Sequence, residues 1–453
     1  MTTPTTAEDV IREIAASGAR RVKVAITDLD GVMRGKYIQI EKLRSALEGG
    51  FGFCNVVFGW DVDDVVYDNT AYTGWHTGYP DAECHLDPRT LRRIPWEDGI
   101  PFLLGDFQAA GGGPLAVCPR QLLKRVIGHA DRLGYRAMFG PEFEWWNFRE
   151  DPDSMAEKGY RDPRPITPGM HGYSMLRSGQ NSAFFRDLME QLADFGVPIE
   201  GLHTESGPGT YEAAVQVTDA LEAADRAVLF KQGAKQIALR HGFMACFMAK
   251  WNIKLPGSGG HLHQSLWRDG KNVFFDGNDP LKMSETFRHY LAGQLKLLPA
   301  MTALFAPTIN SYKRLVEGAW APTRLTWAAD NRTVTLRVIS GGSKSTRLET
   351  RVPGADVNPY LGIAAALAAG LHGIENKVPL ETPPVVGNGY EADAPSLPRN
   401  LSEAADALDG SKIARELFGD AFVDHYVATR RWECRQYAAA ITDWEMRRYF
   451  EII

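Results

Sequence analysis

The period of apolar and polar positions changes along the chain, and that change outlines its elements. Thr5-Thr6-Ala7-Glu8 reads as a capping box opening a short helix through Val10, Ile11 and Ile14. Arg21 to Ile26 alternates with period two, as a strand does, and Asp28-Leu29-Asp30-Gly31 is a turn after it. Phe51–Phe58 and Pro101–Asp106 also read as strands, so the first hundred residues are expected to be β-rich with few helices. Gly111-Gly112-Gly113-Pro114 is the clearest linker, which divides the chain into 1–113 and 114–453.

Beyond it, Pro119 opens a helix carrying Leu122, Leu123, Val126 and Ile127, at a position where proline is tolerated. The pattern then predicts a strand over Ala137–Phe148, an amphipathic helix over Asn181–Phe195 and a long helix over Asp219–His241. A strand over Phe243–Lys250 leads into Gly257-Ser258-Gly259-Gly260-His261-Leu262-His263-Gln264-Ser265, followed by a helix over Ser284–Leu304. Strands containing Arg332, Arg337, Glu349 and Arg351 come next, then an alanine-rich helix from Asn358, a Pro/Gly-rich loop over 379–398 and two closing helices. Strands and helices interleave without a strict βαβ rhythm, which predicts an α+β fold.

Composition narrows the function classes. A chain of 453 residues exceeds one ordinary core, so two domains are expected. Fifty basic against 56 acidic residues, with a pI near 6.0, argue against nucleic acid or an anionic membrane as the main partner. Cys54, Cys84, Cys118, Cys246 and Cys434 are scattered and lack a C-x-x-C spacing, as expected of reduced thiols in the cytoplasm. The N-terminus is polar, without the apolar core of a signal peptide, and the most apolar run, Tyr360 to Leu371, is too short to span a bilayer.

Several clusters offer chemistry. On a strand, His261 and His263 point to one face, as do Glu142 and Glu144 in Phe-Gly-Pro-Glu-Phe-Glu-Trp-Trp. Two carboxylates that close repel unless a cation sits between them. Glu205 and Glu212 flank a Gly-Pro-Gly turn, and Glu349 and Arg351 share a strand face. Each cluster alone also fits an exposed strand face, a turn or a surface ion pair. Together, the five glutamates and His261 supply hard oxygen ligands and one nitrogen, which suits Mg²⁺ or Mn²⁺ better than structural zinc. Arg314, Arg332, Arg337 and Arg351 add guanidinium groups, as transfer of an ATP γ-phosphoryl group requires. No P-loop motif or protein-kinase signature is present.

Read as ordered motifs, the chain resembles the glutamine synthetase family along nearly its whole length. The matching stretches are Gly140-Pro-Glu-Phe-Glu, Glu205 to Glu212 around Pro208-Gly209, Gly257 to Ser265, Asn310-Ser-Tyr-Lys-Arg-Leu and Asn331-Arg332. Arg347-Leu-Glu-Thr-Arg351, Asn358-Pro-Tyr-Leu and Asp443-Trp-Glu complete them. The resemblance implies a small N-terminal β-grasp domain, a large catalytic domain and a dodecamer of two stacked hexameric rings with active sites between subunits. It implies ATP, two or three divalent ions and a γ-glutamyl phosphate intermediate that an amine then attacks. By motif, Glu144, Glu205 and Glu212 would bind one metal, and Glu142, His261 and Glu349 a second at the ATP phosphates. Arg314 and the Gly257 backbone would hold glutamate, with Glu144 and His261 also facing substrate. Arg332 and Arg351 would face the phosphoryl group, which His263 would hydrogen-bond. Arg337, Ser265 and Lys344 would attend the nucleotide.

The sequence departs from ammonia-using members at several points. Trp320, in Glu317-Gly318-Ala319-Trp320-Ala321-Pro322, stands where they carry a glutamate suited to holding ammonium. Pro256 replaces an asparagine, Thr210 replaces a glutamine, and the loop from Glu205 to Glu212 is one residue shorter. The Asp-Gly-Ser-Ser element that reaches across the subunit interface is missing; Trp60-Asp61-Val62-Asp63-Asp64 is the candidate counterpart. These departures resemble the γ-glutamylamine synthetase branch, with an alkylamine, ethanolamine, a polyamine or an arylamine as substrate. Protonated amines need a base, for which Asp61, Asp63 or Asp64 of a neighbouring subunit is the candidate. The competing readings are an ammonia-dependent enzyme with a rearranged loop and a catalytically silent ring.

Overall fold

The computed structural model describes residues 6–453. Thr6 caps the Ala7–Ala16 helix by accepting from the Asp9 amide at 3.2 Å; the Thr5 part of the expected capping box lies outside the described residues. The first sheet contains β1 (Arg21–Thr27), β2 (Met33–Gln39), β3 (Phe51–Cys54), β4 (Asp81–Leu86), β5 (Arg92–Ile94) and β6 (Ile100–Gln108). Its order is β2-β1-β6-β4-β3, with β5 also on β6, and β1 and β6 run parallel. The strand expected over Phe51–Phe58 stops at Cys54, because Asn55–Phe58 tightens into a 3₁₀ turn that buries Val57 and Phe58.

The glycine run at 111–113 forms a tight turn: the Ala109 amide donates to the Gly113 carbonyl at 2.9 Å. Every strand of the first sheet precedes it, and every strand of the second follows. The apolar core is nevertheless continuous, since Trp96, Phe102 and Phe107 belong to the same buried cluster as Phe139 and Phe230.

The second sheet contains β7 (Arg136–Phe148), β8 (Ile199–Thr204), β9 (Thr210–Val215), β10 (Thr218–Asp219), β11 (Met244–Cys246), β12 (Gly260–Arg268), β13 (Lys271–Asn272), β14 (Trp327–Ala329), β15 (Leu336–Ile339) and β16 (Arg347–Thr350). Its path is β14-β15-β16-β12-β7-β9-β8. The mixed α+β fold stands as read from the sequence. Two details differ: the strand expected over Phe243–Lys250 is only the three residues of β11, and four helices rather than two close the chain beyond residue 400. Arg332 lies in a turn, and Arg351 follows the end of β16.

Period two divides β7 cleanly. Phe143 stacks on Phe230 at 5.8 Å and Trp145 on Phe247 at 5.8 Å, so one face is apolar and packs on the Ala220–Arg240 helix. Glu142 and Glu144 are thereby turned to the other face. β12 divides the same way: Gln264 points into the helix layer, accepting from Tyr290 Oη at 2.6 Å and Gln294 Nε2 at 2.8 Å while donating to Thr350 Oγ1 at 2.8 Å. This buried network holds β12 in register, because every polar group in it has a partner. The helices Glu285–Phe305 and Pro359–Glu375 touch backbone to backbone, where a Cβ on Gly293 would lie 2.3 Å from the Ala369 carbonyl oxygen.

His425 ties the Asp420–Ala439 helix to the first hundred residues, donating from Nε2 to the Phe58 carbonyl at 2.9 Å. Burial holds its pKa down to about 4, against an ordinary 6.5. The unfolded chain therefore takes up the proton first, and stability falls as pH drops from 6.5 toward 4. The expected loss is on the order of 3 kcal/mol. Urea midpoints measured across that window for the wild type and His425→Gln should differ in slope; equal slopes would assign the acid sensitivity elsewhere.

Candidate functional site

Register brings the polar face together. His261 lies opposite Glu142 and His263 opposite Gly140 on β7, while His263 also lies opposite Glu349 on β16. On the other side of β7, Glu144 lies opposite Glu212, which lies opposite His203. Arg337 faces Glu349 from β15. The side chains meet accordingly. His261 Nδ1 is 3.0 Å from Glu142 Oε1 and 3.5 Å from Glu349 Oε1, and His263 Nε2 is 3.5 Å from Glu142 Oε2. Arg337 reaches Glu349 at 3.1 Å, and Arg351 pairs with the same carboxylate.

The electrostatics separate the carboxylates. Burial opposes ionisation of Glu349, but Arg351, His261 and His263 overcome it and hold the carboxyl at about 2. Glu142 is half-buried, and His261 and His263 hold it well below its ordinary value against the cost of desolvation. Glu144 goes the other way: burial pushes it up to about 7, aided by Glu205 and Glu142, against the opposing pull of Arg314 and the Gly259 amide. Glu212 is also raised by burial, with Glu142 and Glu144 adding repulsion. His203 is raised to about 9, because its contacts to Glu212 and Glu205 outweigh burial. A face that buries Glu144 until its pKa reaches about 7, with other carboxylates beside it, suits a cation.

Two groups place their ligand atoms within 4.8 Å of one another: Glu142, His261 and Glu349, and His203, Glu205 and Glu212. The first is the trio expected at the phosphates. In the second, His203 stands beside Glu205 and Glu212, while Glu144 Oε2 accepts from the Gly259 amide at 2.8 Å. A Cβ on Gly259 would meet His261 Nε2 at 2.6 Å, so only glycine fits between these ligands. Both groups offer carboxylate oxygen with a single imidazole, a donor set suited to Mg²⁺ or Mn²⁺.

Around this face, Arg314 is buried against the Gly257 backbone, donates to the Val352 carbonyl at 2.9 Å and lies 3.4 Å from His261 Nε2. Glu142, Glu200, His263, Ser265, Lys344 and Arg347 line a cavity of about 300 Å³. That cavity gathers Ser265 and Lys344, two of the three residues expected at the nucleotide, with His263. Arg332 is exposed on its turn, and Arg337 also contacts Asp330 at 3.2 Å. Asp61 Oδ1 accepts the Asp63 and Val65 amides at 2.9 Å, and Asp64 pairs with Arg34 at 2.6 Å. Asp61 and Asp63 line a separate cavity with Lys313 and Tyr437, and among the described residues no hydrogen bond or ion pair joins them to the carboxylate face of their own chain.

Two side chains at the site escaped the sequence reading entirely, and a third was named only as part of a motif. His203 sits two residues before Glu205 on β8, a spacing that period two would have flagged. Tyr173 stacks on it at 4.3 Å from an irregular segment that carries no pattern. Arg347 donates from Nε to His263 Nδ1 at 3.1 Å, which turns the other ring nitrogen toward Glu142; it opens the same Arg-Leu-Glu-Thr-Arg stretch as Arg351.

Fold and face together define a candidate cation-binding centre of carboxylates and imidazoles backed by arginines. The chain belongs to the glutamine synthetase family: the family model described as the glutamine synthetase catalytic domain matches residues 116–449. "Type-1 glutamine synthetase 2" of Dictyostelium discoideum is 51% identical over 99% of this chain and 87% of that one. "Glutamate--isopropylamine ligase" of a Pseudomonas species is 39% identical over 95% of each. The solved structure named "GmaS/ADP complex-Conformation 1" superimposes with a TM-score of 0.85 at 29% identity, covering 97% of this chain and 99% of that one. The protein is a glutamine synthetase-type ligase, a family that typically uses ATP and a divalent metal.

Proposed function

We propose that this ligase joins the γ-carboxylate of L-glutamate to an organic amine rather than to ammonia. The observation that carries this reading is Trp320. Its backbone takes a left-handed conformation (φ 57°), the residue is 60% exposed, and its carbonyl accepts from Arg351 Nη2 at 3.4 Å. The contact with Arg351, the arginine proposed to face the phosphoryl group, supports a loop at the reacting end of the site, with apolar area where a carboxylate would attract ammonium. The 39%-identical glutamate–isopropylamine ligase supports this choice. The name of the 51%-identical relative favours ammonia as the second reading.

In the reaction, a γ-carboxylate oxygen attacks the γ-phosphorus of ATP, giving γ-glutamyl phosphate and ADP. The amine nitrogen then attacks the acyl carbon, phosphate leaves, and the amine gives up one proton. Glu142, His261 and Glu349 would hold one divalent ion, and Glu205, Glu212, His203 and Glu144 a second; bound Mg²⁺ or Mn²⁺ supplies neutralisation of the phosphate charge. Arg314 and the Gly257 backbone hold glutamate, and Arg332 and Arg351 compensate the transferring group. Arg337, Ser265 and Lys344 hold the nucleotide. His263, oriented by Arg347, donates to a phosphoryl oxygen. The proton acceptor is assigned to Asp61, Asp63 or Asp64 of a neighbouring copy, since the chain's own lie apart.

Phosphate release from ATP with Mg²⁺ and glutamate, across ammonium and a panel of alkyl-, hydroxyalkyl-, poly- and arylamines, tests this. One organic amine should exceed ammonium in kcat/KM, and Trp320→Glu should move the ratio toward ammonium by about tenfold or more. Ammonium preferred by the wild type, or an unchanged ratio in the variant, would remove Trp320 as selector.

A further inference from the structure

Away from the catalytic face, Arg149, Arg164 and Arg177 line one cavity of about 550 Å³ together with Gln180 and Asn181. The backbone builds this grouping. Phe148 bridges Pro165 in antiparallel fashion, and the Arg149 amide donates to the Arg164 carbonyl at 2.7 Å, so two guanidinium stems start from adjacent positions. Arg149 is further held by donating to the Ile166 carbonyl at 3.2 Å and by lying 5.3 Å over the Phe243 ring. Arg177 enters from the Met175–Gln180 helix, bonded to Gln180 Oε1 at 3.1 Å.

Among the described residues, no carboxylate lines this cavity and none pairs with any of the three guanidinium groups. Glu150, the nearest acid in sequence, spends its oxygens on the Arg164 amide, Ser154 and Lys158. This contrasts with the rest of the molecule, where arginine after arginine meets an acid. Three like charges converging on one concavity repel, and guanidinium forks match the oxygens of carboxylate and phosphate. The cavity has the volume of a small-ligand site.

We infer that this cavity is a second anion site, separate from the catalytic face, that takes a small multivalent oxyanion bearing carboxylate or phosphoryl groups. The segment that lines it is tied to the candidate site: Thr167, between the lining residues Ile166 and Pro168, accepts at Oγ1 from the Gly209 amide, in the turn between Glu205 and Glu212, at 3.2 Å. Titration calorimetry on the full protein, its catalytic centre saturated with ADP, Mg²⁺ and glutamate in 0.15 M potassium chloride, tests the site. Succinate and inorganic phosphate are the two probes, and the tighter one tells a dicarboxylate from a phosphoryl ligand. One should bind near one per chain, and the Arg164→Gln/Arg177→Gln double variant should weaken it at least about tenfold with ADP affinity unchanged. Binding of neither probe, binding abolished by filling the catalytic centre, or equal affinity in the double variant would overturn the site.

Discussion

Glu349→Ala is expected to lower kcat by about a thousandfold or more with ammonium and with every amine alike. Glu349 is 1% exposed and, among the described residues, is the one carboxylate that meets Arg351, Arg337 and His261 together. Its removal subtracts a carboxylate from the candidate metal-holding trio with Glu142 and His261, and it leaves the Arg337 and Arg351 guanidinium groups without their common partner. Glu349→Gln separates charge from shape, since the amide retains volume and loses the negative charge. Steady-state phosphate release, with thermal melts to verify folding, measures both variants. Amine-dependent loss, severe with one substrate and mild with another, would move Glu349 from the phosphoryl step to amine selection.

The second large effect concerns stability. Arg120 is fully buried and makes ion pairs with Asp87 at 2.9 Å, Asp106 at 2.6 Å and Asp225 at 2.9 Å. Tyr360 Oη adds a bond to Asp225 at 2.6 Å. One guanidinium thus joins the first sheet to the Pro119–Arg132 and Ala220–Arg240 helices. Arg120→Ala leaves buried carboxylates facing one another, and the expected loss is about 3–5 kcal/mol, enough to abolish soluble expression at 37 °C. Arg120→Lys keeps the charge but not the fork, and should fall between. A melting temperature within about 2 °C of wild type for the alanine variant would show that the three aspartates relax by other means.

Fold class and the polar face were legible because both rest on period two. Glu142 with Glu144, and His261 with His263, are pairs whose common face follows from strand geometry alone. Pairing partners were not legible: that Glu212 meets His203, or that Glu349 spans His261 and Arg337, depends on register between strands far apart in sequence. His203 escaped for that reason, and Tyr173 because irregular backbone carries no period. The Phe51–Phe58 and Phe243–Lys250 stretches read as longer strands than they are because burial on a turn is as apolar as burial in a sheet. The arginine cavity was invisible too, since its members come from three separate segments.

The carboxylate face and the loop proposed to select the amine are built on different kinds of backbone. The carboxylates and imidazoles are carried mainly by hydrogen-bonded strands, where a one-residue slip would reverse every side chain. Trp320 sits at the tip of a loop, in a left-handed conformation that no strand partner enforces. Lineages descending from such a protein are therefore free to exchange that loop while inheriting the sheet unchanged. New nitrogen donors would be acquired by drift at the rim, and the phosphoryl-transfer machinery beneath would remain an heirloom common to all of them.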